Sequence, residues 1–261
     1  MTGSTIPTLS QQPAPVVRQV PPLRLVVYGR KAVGKTTLAA TASRPLFIDL
    51  DGSLEGEAVP EGADILSWEP TAWQDLNGLF VEAKRRSWER DTWVIDTGNA
   101  LARFLIEEAV DTATGQNRGE NAGMLQIGKT VPELRDYNAL AQAYGRVLSM
   151  LRRTGKDIIV LCHTRDPDPE HGEYRRGPDL PAATRKVLEE WANVIGEYEK
   201  GTKPDGTDVR TLSWAPDDPR RVAGNRWAST LRGSMTDPTI PKIKAAIGRA
   251  YRKPTPTKET P

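Results

Sequence analysis

Leu23-Arg-Leu-Val-Val-Tyr-Gly-Arg-Lys-Ala-Val-Gly-Lys-Thr-Thr37 runs from a short apolar stretch, rich in β-branched residues, into a glycine-framed loop and on into Leu38-Ala39-Ala40. Gly29, Gly34, Lys35 and Thr36 spell G-x-x-x-x-G-K-T between a predicted buried strand and a predicted helix, the context in which this spacing binds phosphate. The glycines let the backbone turn tightly, so that successive N–H groups converge on phosphate oxygens, and the helix behind them presents its positive end. The segment Gly29, Arg30, Lys31, Ala32, Val33, Gly34, Lys35, Thr36 and Thr37 is therefore the expected triphosphate cradle. Within it, Lys35 can reach the β- and γ-phosphates and the Thr36 hydroxyl can ligate Mg²⁺.

Outside this loop the chain is ordinary in bulk. Its 261 residues fit one large α/β domain with tails, and 38% hydrophobic with 27% charged residues allow a sizeable core. A formal net charge of +2 gives no global argument for nucleic acid, so any such case is local. The single cysteine, Cys162, excludes an intrachain disulfide and suits a reducing compartment. No apolar run approaches the roughly 18 residues of a membrane span, and the first residues lack a signal-peptide core. A cytoplasmic location and no membrane partner are expected.

Residues 1–21 are polar and proline-rich and read as a disordered leader. Beyond the loop and its helix, Leu46-Phe47-Ile48 predicts a second strand that runs into Asp49-Leu50-Asp51-Gly52. Acidic residues there sit at the carboxyl edge of an open α/β sheet, where ligands bind. A short strand is expected at 64–66, and an amphipathic helix from Trp73 to Arg86. Thr92-Trp-Val-Ile-Asp96-Thr97 is an apolar strand ending in Asp, which downstream of such a loop is the pattern of a carboxylate holding the Mg²⁺ shell. Thr97 either supports that shell or caps the helix that follows.

The stretch 112–130 is Gly/Asn-rich and aperiodic, more often functional or mobile than structural. Pro132 opens a long helix with Leu134, Tyr137, Ala141, Tyr144, Leu148 and Leu151 on one stripe. Ile158-Ile-Val-Leu-Cys162-His163-Thr164-Arg165 is a buried strand with a polar end. His163 reads either as a hydrogen-bonded core residue or as a side chain beside the γ-phosphate that senses hydrolysis; Cys162 would face the opposite side as inert core. In the following loop, Tyr174, Arg175 and Arg176, with Arg165 before them, pair a stacking aromatic with guanidinium groups, as single-stranded nucleic acid binding requires. A helix over 182–192, a hairpin over 194–214 and a basic helix over 241–251 complete the pattern.

This order of motifs resembles the RecA-type ATPase core, and within it the phage-encoded "AAA domain" nucleotide-binding proteins of the Sak type, single-strand-annealing ATPases. The stretches that carry the resemblance are Val26 to Ala39, Leu46 to Gly52, Trp93 to Thr97, Asp136-Tyr137 with Tyr144-Gly145, Ile158 to His163, Gly177-Pro-Asp-Leu-Pro181 and Ala223-Gly-Asn-Arg226. It implies a RecA-like P-loop NTPase fold: a mostly parallel central sheet flanked by helices, extended by a C-terminal β-hairpin, over residues 22–232. Residues 233–261 would be a basic helix and tail. The implied cofactors are ATP and Mg²⁺. The implied partners are single-stranded DNA, further copies of the chain in a ring or filament, and a phage or host single-strand-binding protein. Lys35, Asp51, Asp96 and His163 would carry hydrolysis, with Asp51 orienting or deprotonating the water. RecA-like proteins commonly place Glu there, and Glu55 is the alternative. A cation supplied by a neighbouring subunit would be Arg226, Arg221 or Arg165. Two other readings compete: a small-molecule kinase with an arginine-bearing lid, and a nucleotide-gated DNA-binding or loading module with little hydrolysis.

Overall fold

The computed structural model describes residues 20–52, 54, 65–71, 73–84, 89–112, 134–171, 175–215, 219–227, 231 and 233–252. The leader up to residue 19, Glu55, the stretch 113–133, Tyr174 and residues 253–261 lie outside them.

β1 (Arg24–Gly29) is buried along almost its whole length. It pairs in parallel with β5 (Asp157–Arg165) on one side and β7 (Val194–Thr202) on the other. Beyond β5 follow β4 (Thr92–Asp96), β2 (Pro45–Asp49) and β3 (Leu66–Trp68), all parallel. Beyond β7 the sheet becomes antiparallel, through β8 (Asp208–Ser213) to β10 (Ser234–Thr236). Two short strands complete it: β6 (Gly177–Pro178) folds back on the end of β5, and β9 (Gly224–Asn225) pairs with the start of β7. This is the mostly parallel, hairpin-extended α/β sheet of a RecA-like P-loop NTPase.

Helices cover both faces, which is why the central strands read as continuous apolar runs rather than alternating ones. Successive strand residues still point to opposite sides. Val26, Tyr28, Ile48, Trp93, Ile95, Ile158, Val160 and Cys162 join a core with residues of α2 (Trp73–Lys84), α3 (Gly98–Thr112), α4 (Leu134–Arg153) and α5 (Ala182–Trp191). Leu25, Val27, Phe47, Val94, Ile159 and Leu161 face α1 (Lys35–Ala40) and α6 (Ile240–Arg252) on the other side. The basic helix expected near the C-terminus therefore has an apolar face, Ile240, Ile243, Ala246, Ile247 and Ala250, that helps close this second core. The boundary expected at residue 232 falls between β8 and β10, which are hydrogen-bonded to each other.

Two local expectations shift. The short strand expected at 64–66 is found at Leu66–Trp68, paired with β2. Tyr137, placed on the buried stripe of α4, is 39% exposed. It lies seven residues before Tyr144, hence on the same helical face, near the start of α4. The packed stripe is Leu140, Ala141, Tyr144, Val147, Leu148 and Leu151.

β5 lies between β1 and β4, so the loop after β1 and the carboxylate ending β4 stand on either side of an intervening strand. The cleft at the carboxyl ends of these strands is where an open α/β sheet binds ligand. Gly29 closes β1 at its tightest point. A Cβ there would stand 2.3 Å from the Tyr198 carbonyl oxygen of β7.

Candidate nucleotide-binding site

The loop from Gly29 to Gly34 leaves β1 and enters α1 through Gly34, whose φ of 92° is in the left-handed region. That conformation is open to glycine at no steric cost. Ala32 also has positive φ, 62°, a strained state for a residue with a Cβ. Lys35 turns back over the loop it follows: its Nζ donates to the carbonyls of Gly29 and Arg30, both at 2.9 Å. Burial lowers its pKa, while the negative charges of Asp96 and Asp51 pull the other way.

The Thr36 hydroxyl donates to Asp96 Oδ2 at 3.0 Å. Asp96 ends β4 and is 2% exposed. Burial pushes its pKa up to about 6; Asp51 and Asp49 add to the rise, and the Thr36 hydroxyl and Lys35 oppose it. Two hard oxygen donors side by side, with surplus negative charge around them, fit a Mg²⁺ that takes one or two protein oxygens and completes its shell with phosphate and water.

Of the acidic residues expected at this edge, Asp49 is the buried one. It ends β2 in register with Asp96, is 2% exposed, and accepts from the backbone N–H of Leu54 at 3.0 Å and of Asp51 at 3.4 Å. The Leu50 N–H donates to the Asp96 carbonyl at 2.7 Å, tying the two strand ends together. A signal was present: Phe47-Ile48-Asp49 repeats the apolar-Ile-Asp pattern of Val94-Ile95-Asp96. Asp51 stands two residues further on, exposed at the rim. Its charge acts on Lys35, Asp96 and His163 alike.

His163 is the register partner of Gly29 and is half-buried. Burial lowers its pKa, as does the charge of Lys35, against the opposing pull of Asp51 and Asp179. The balance favours the neutral imidazole. Asn99, not anticipated from sequence, fixes the backbone here. Its Oδ1 accepts from the His163 N–H at 2.8 Å, and its Nδ2 donates to the Asp179 carbonyl. Thr97 caps α3, its Oγ1 accepting from the Ala100 N–H at 3.1 Å. Cys162 is fully buried, and burial pushes its thiol up to about 12.

The arginines separate into different environments. Arg176 pairs with Glu197 at 3.0 Å, Asp166 at 3.3 Å and Glu199 at 3.3 Å. Arg221 pairs with Glu199 at 3.0 Å and Glu197 at 3.2 Å. Glu197 is 2% exposed, so the two arginines balance a carboxylate that is buried in the sheet. Arg226 donates to the carbonyls of Glu190 at 3.2 Å and Ala192 at 3.4 Å, at the end of α5. Arg175 is exposed and Arg165 half-buried at the end of β5; Tyr174 is not among the described residues. On the β7 side of the loop lies a cavity of about 320 Å³, lined by Arg30, Val33, Arg176, Glu197, Glu199 and Lys200 among others.

No helix among the described residues is long and apolar enough to cross a membrane. No curated protein is significantly similar to the chain. Among solved structures, it is similar to a KaiC-like protein of Pyrococcus horikoshii, with 14% identity over 72% of this chain and 76% of that one and a TM-score of 0.42. It is also similar to the flagellar accessory protein FlaH of Methanocaldococcus jannaschii, with 11% identity over 83% and 86% and a TM-score of 0.40. The AAA domain family matches residues 21–227, a span that takes in the loop, every strand end at the cleft and the hairpin. The chain belongs to the AAA domain family and is a P-loop NTPase domain.

Proposed function

We propose that this protein is a Mg²⁺-dependent ATPase of the RecA type that assembles into a ring or filament of identical subunits. It acts on single-stranded DNA during phage recombination, annealing or replication. The observation that carries the hydrolytic part is the convergence of Lys35, the Thr36–Asp96 pair, Asp51 and His163 at the ends of the adjacent strands β2, β4, β5 and β1.

Lys35 and the loop N–H groups bind the β- and γ-phosphates, displacing the Gly29 and Arg30 carbonyls as partners of the ammonium. Thr36 and Asp96 would hold Mg²⁺, which when bound offsets charge on the β- and γ-phosphate oxygens. Asp51 accepts a proton from water as its oxygen bonds to the γ-phosphorus, and the bond to the β,γ-bridging oxygen breaks to leave ADP and phosphate. His163 exchanges hydrogen bonds with the γ-phosphate and its product. It reports the change to the loop from Asp166 to Pro178, which β6 and the Asp179 N–H hold against the end of β5. Arg221 and Arg226 are engaged within their own chain, so Arg165 is the favoured cation to act across a subunit boundary.

The test compares ATP turnover by wild type, Lys35→Ala and Asp51→Ala, each with and without single-stranded DNA. The expected result is turnover stimulated by DNA in wild type and lost in both variants. DNA-indifferent hydrolysis by a strict monomer overturns the DNA role. Phosphate transfer to a nucleoside or metabolite identifies a kinase instead. Tight ATP binding without turnover identifies a nucleotide-gated module.

A further inference from the structure

The outer hairpin sends a cation into the phosphate loop. Arg210 on β8 donates from Nε to the Val33 carbonyl at 3.2 Å. Its guanidinium lies against Gly34, where a Cβ would come within 3.1 Å of Nε. The residue is held in place by reciprocal backbone bonds across to the segment after β10. The Arg210 N–H donates to Asp237 Oδ1 at 3.0 Å, and the Asp237 N–H donates to the Arg210 carbonyl at 2.7 Å. Tyr198, buried on the neighbouring strand, feels the Arg210 charge as well.

The peptide unit it holds is the informative one. In a planar trans peptide the C=O of one residue and the N–H of the next point in opposite directions. A donor fixed behind the Val33 carbonyl therefore turns the Gly34 N–H the other way, into the bowl occupied by Lys35 Nζ. Nucleotide-free loops have no phosphate to orient their N–H groups, so a fixed donor supplies that order in advance. The guanidinium adds a permanent positive charge beside the bowl.

We propose that Arg210 is a positioning residue for triphosphate binding, acting on the loop of its own chain by holding the Val33–Gly34 peptide in the phosphate-ready orientation. The proposal rests on the reading of Gly29 to Thr37 as a triphosphate site. The experiment titrates full-length wild type, Arg210→Gln, Arg210→Lys and Lys35→Ala with a fluorescent ATP analogue in Mg²⁺. ATPase KM and kcat and nucleotide-free melting temperature are measured on the same preparations. The expected result is a rise of about tenfold in Kd and KM for Arg210→Gln, with kcat within about threefold of wild type. Partial recovery in Arg210→Lys and a melting temperature near that of wild type are also expected. Equal Kd for Arg210→Gln and wild type overturns the proposal and leaves the nucleotide site standing. So does an affinity loss matched by an equal loss of nucleotide-free stability. Failure of wild type itself to bind overturns the site and the proposal together. Mixing Arg210→Gln with Lys35→Ala subunits should leave the raised KM of Arg210→Gln unchanged; a return towards the wild-type KM would place Arg210 on a neighbour's loop and overturn the assignment within one chain.

Discussion

The two sides of β1 handle charge in opposite ways. Toward β5, β4 and β2 the strand ends collect acidic groups: Asp96 and Asp49 are buried in register, and burial with Asp51 and Asp49 raises the Asp96 pKa against the pull of the Thr36 hydroxyl and Lys35. Toward β7 and β8 burial also raises the pKa of Glu197, but Arg176 and Arg221 from separate loops pair with it and pull it back. An uncompensated buried charge is costly in the free protein and is retained where a ligand supplies the counter-charge. A balanced cluster needs no ligand and serves folding. Two acidic patches on one sheet thus divide into the cleft to which Mg²⁺ binding is proposed and a joint whose carboxylates pair with arginines of the same chain.

The sharpest way to break this contrast is Lys35→Ala. It should reduce ATP turnover by at least about 100-fold while leaving the nucleotide-free melting temperature within about 2 °C of wild type. A large loss of stability would place Lys35 on the structural side instead.

Asp96→Asn separates the roles within one residue. Turnover should fall by about 100-fold or more, yet the nucleotide-free chain in chelator should become more stable at pH 7.5. The Asp96 pKa of about 6 lies above the ordinary 3.8, so the folded chain holds this proton more tightly than the unfolded one. The stability gained from that proton is complete below the unfolded value and is lost as pH rises through about 6. Wild type should therefore lose about 2–4 kcal/mol relative to Asp96→Asn between about pH 4 and pH 7.5, read from denaturant unfolding at each pH. Parallel pH profiles for the two proteins would refute a carboxylate whose pKa burial raises.

Glu197→Ala tests the other side. It leaves Arg176 and Arg221 without their buried acceptor and should cost about 3 kcal/mol of stability, while kcat of the folded fraction stays within about threefold of wild type. A loss of turnover without loss of stability would move Glu197 into the chemistry. The smallest effect belongs to Asn99→Ala, which frees the His163 N–H and the Asp179 carbonyl and should cost about 1–2 kcal/mol. Under the proposed relay, any DNA stimulation of turnover should weaken with it, because the strand end that carries His163 loosens.

The same division explains what the sequence made legible. Lys35, Thr36 and the loop lie in one contiguous spacing with a strand before and a helix after, and Asp96 follows an apolar strand; local pattern suffices for these. Asp49 and Asp51 were both legible as acids at this edge, but not which of them is buried, because apolar runs mark strands better than they mark the last strand residue. The hairpin 194–214 was legible from its turn chemistry, but not that Arg210 on its second strand would lie on the phosphate loop. That contact depends on β7 docking beside β1, a pairing between segments far apart in the chain. The nucleic-acid reading of Arg176 rests on its neighbours in sequence; its ion-pair partners Glu197 and Glu199 come from a strand that only the fold brings close. The shift of Tyr137 has a related origin, since helical periodicity gives the face but not the length of helix that is covered.

Gly29 carries a consequence for how variation in this chain is interpreted. With the Tyr198 carbonyl 2.3 Å from where a Cβ would sit, any side chain there pushes β7 off β1 before a nucleotide is involved. In a saturation screen scored separately for abundance and for activity, Gly29 should fail both, whereas Lys35 should fail activity alone. The first glycine of the motif is thus an architectural residue in this chain, and a null variant at that position is not a measure of ATP binding.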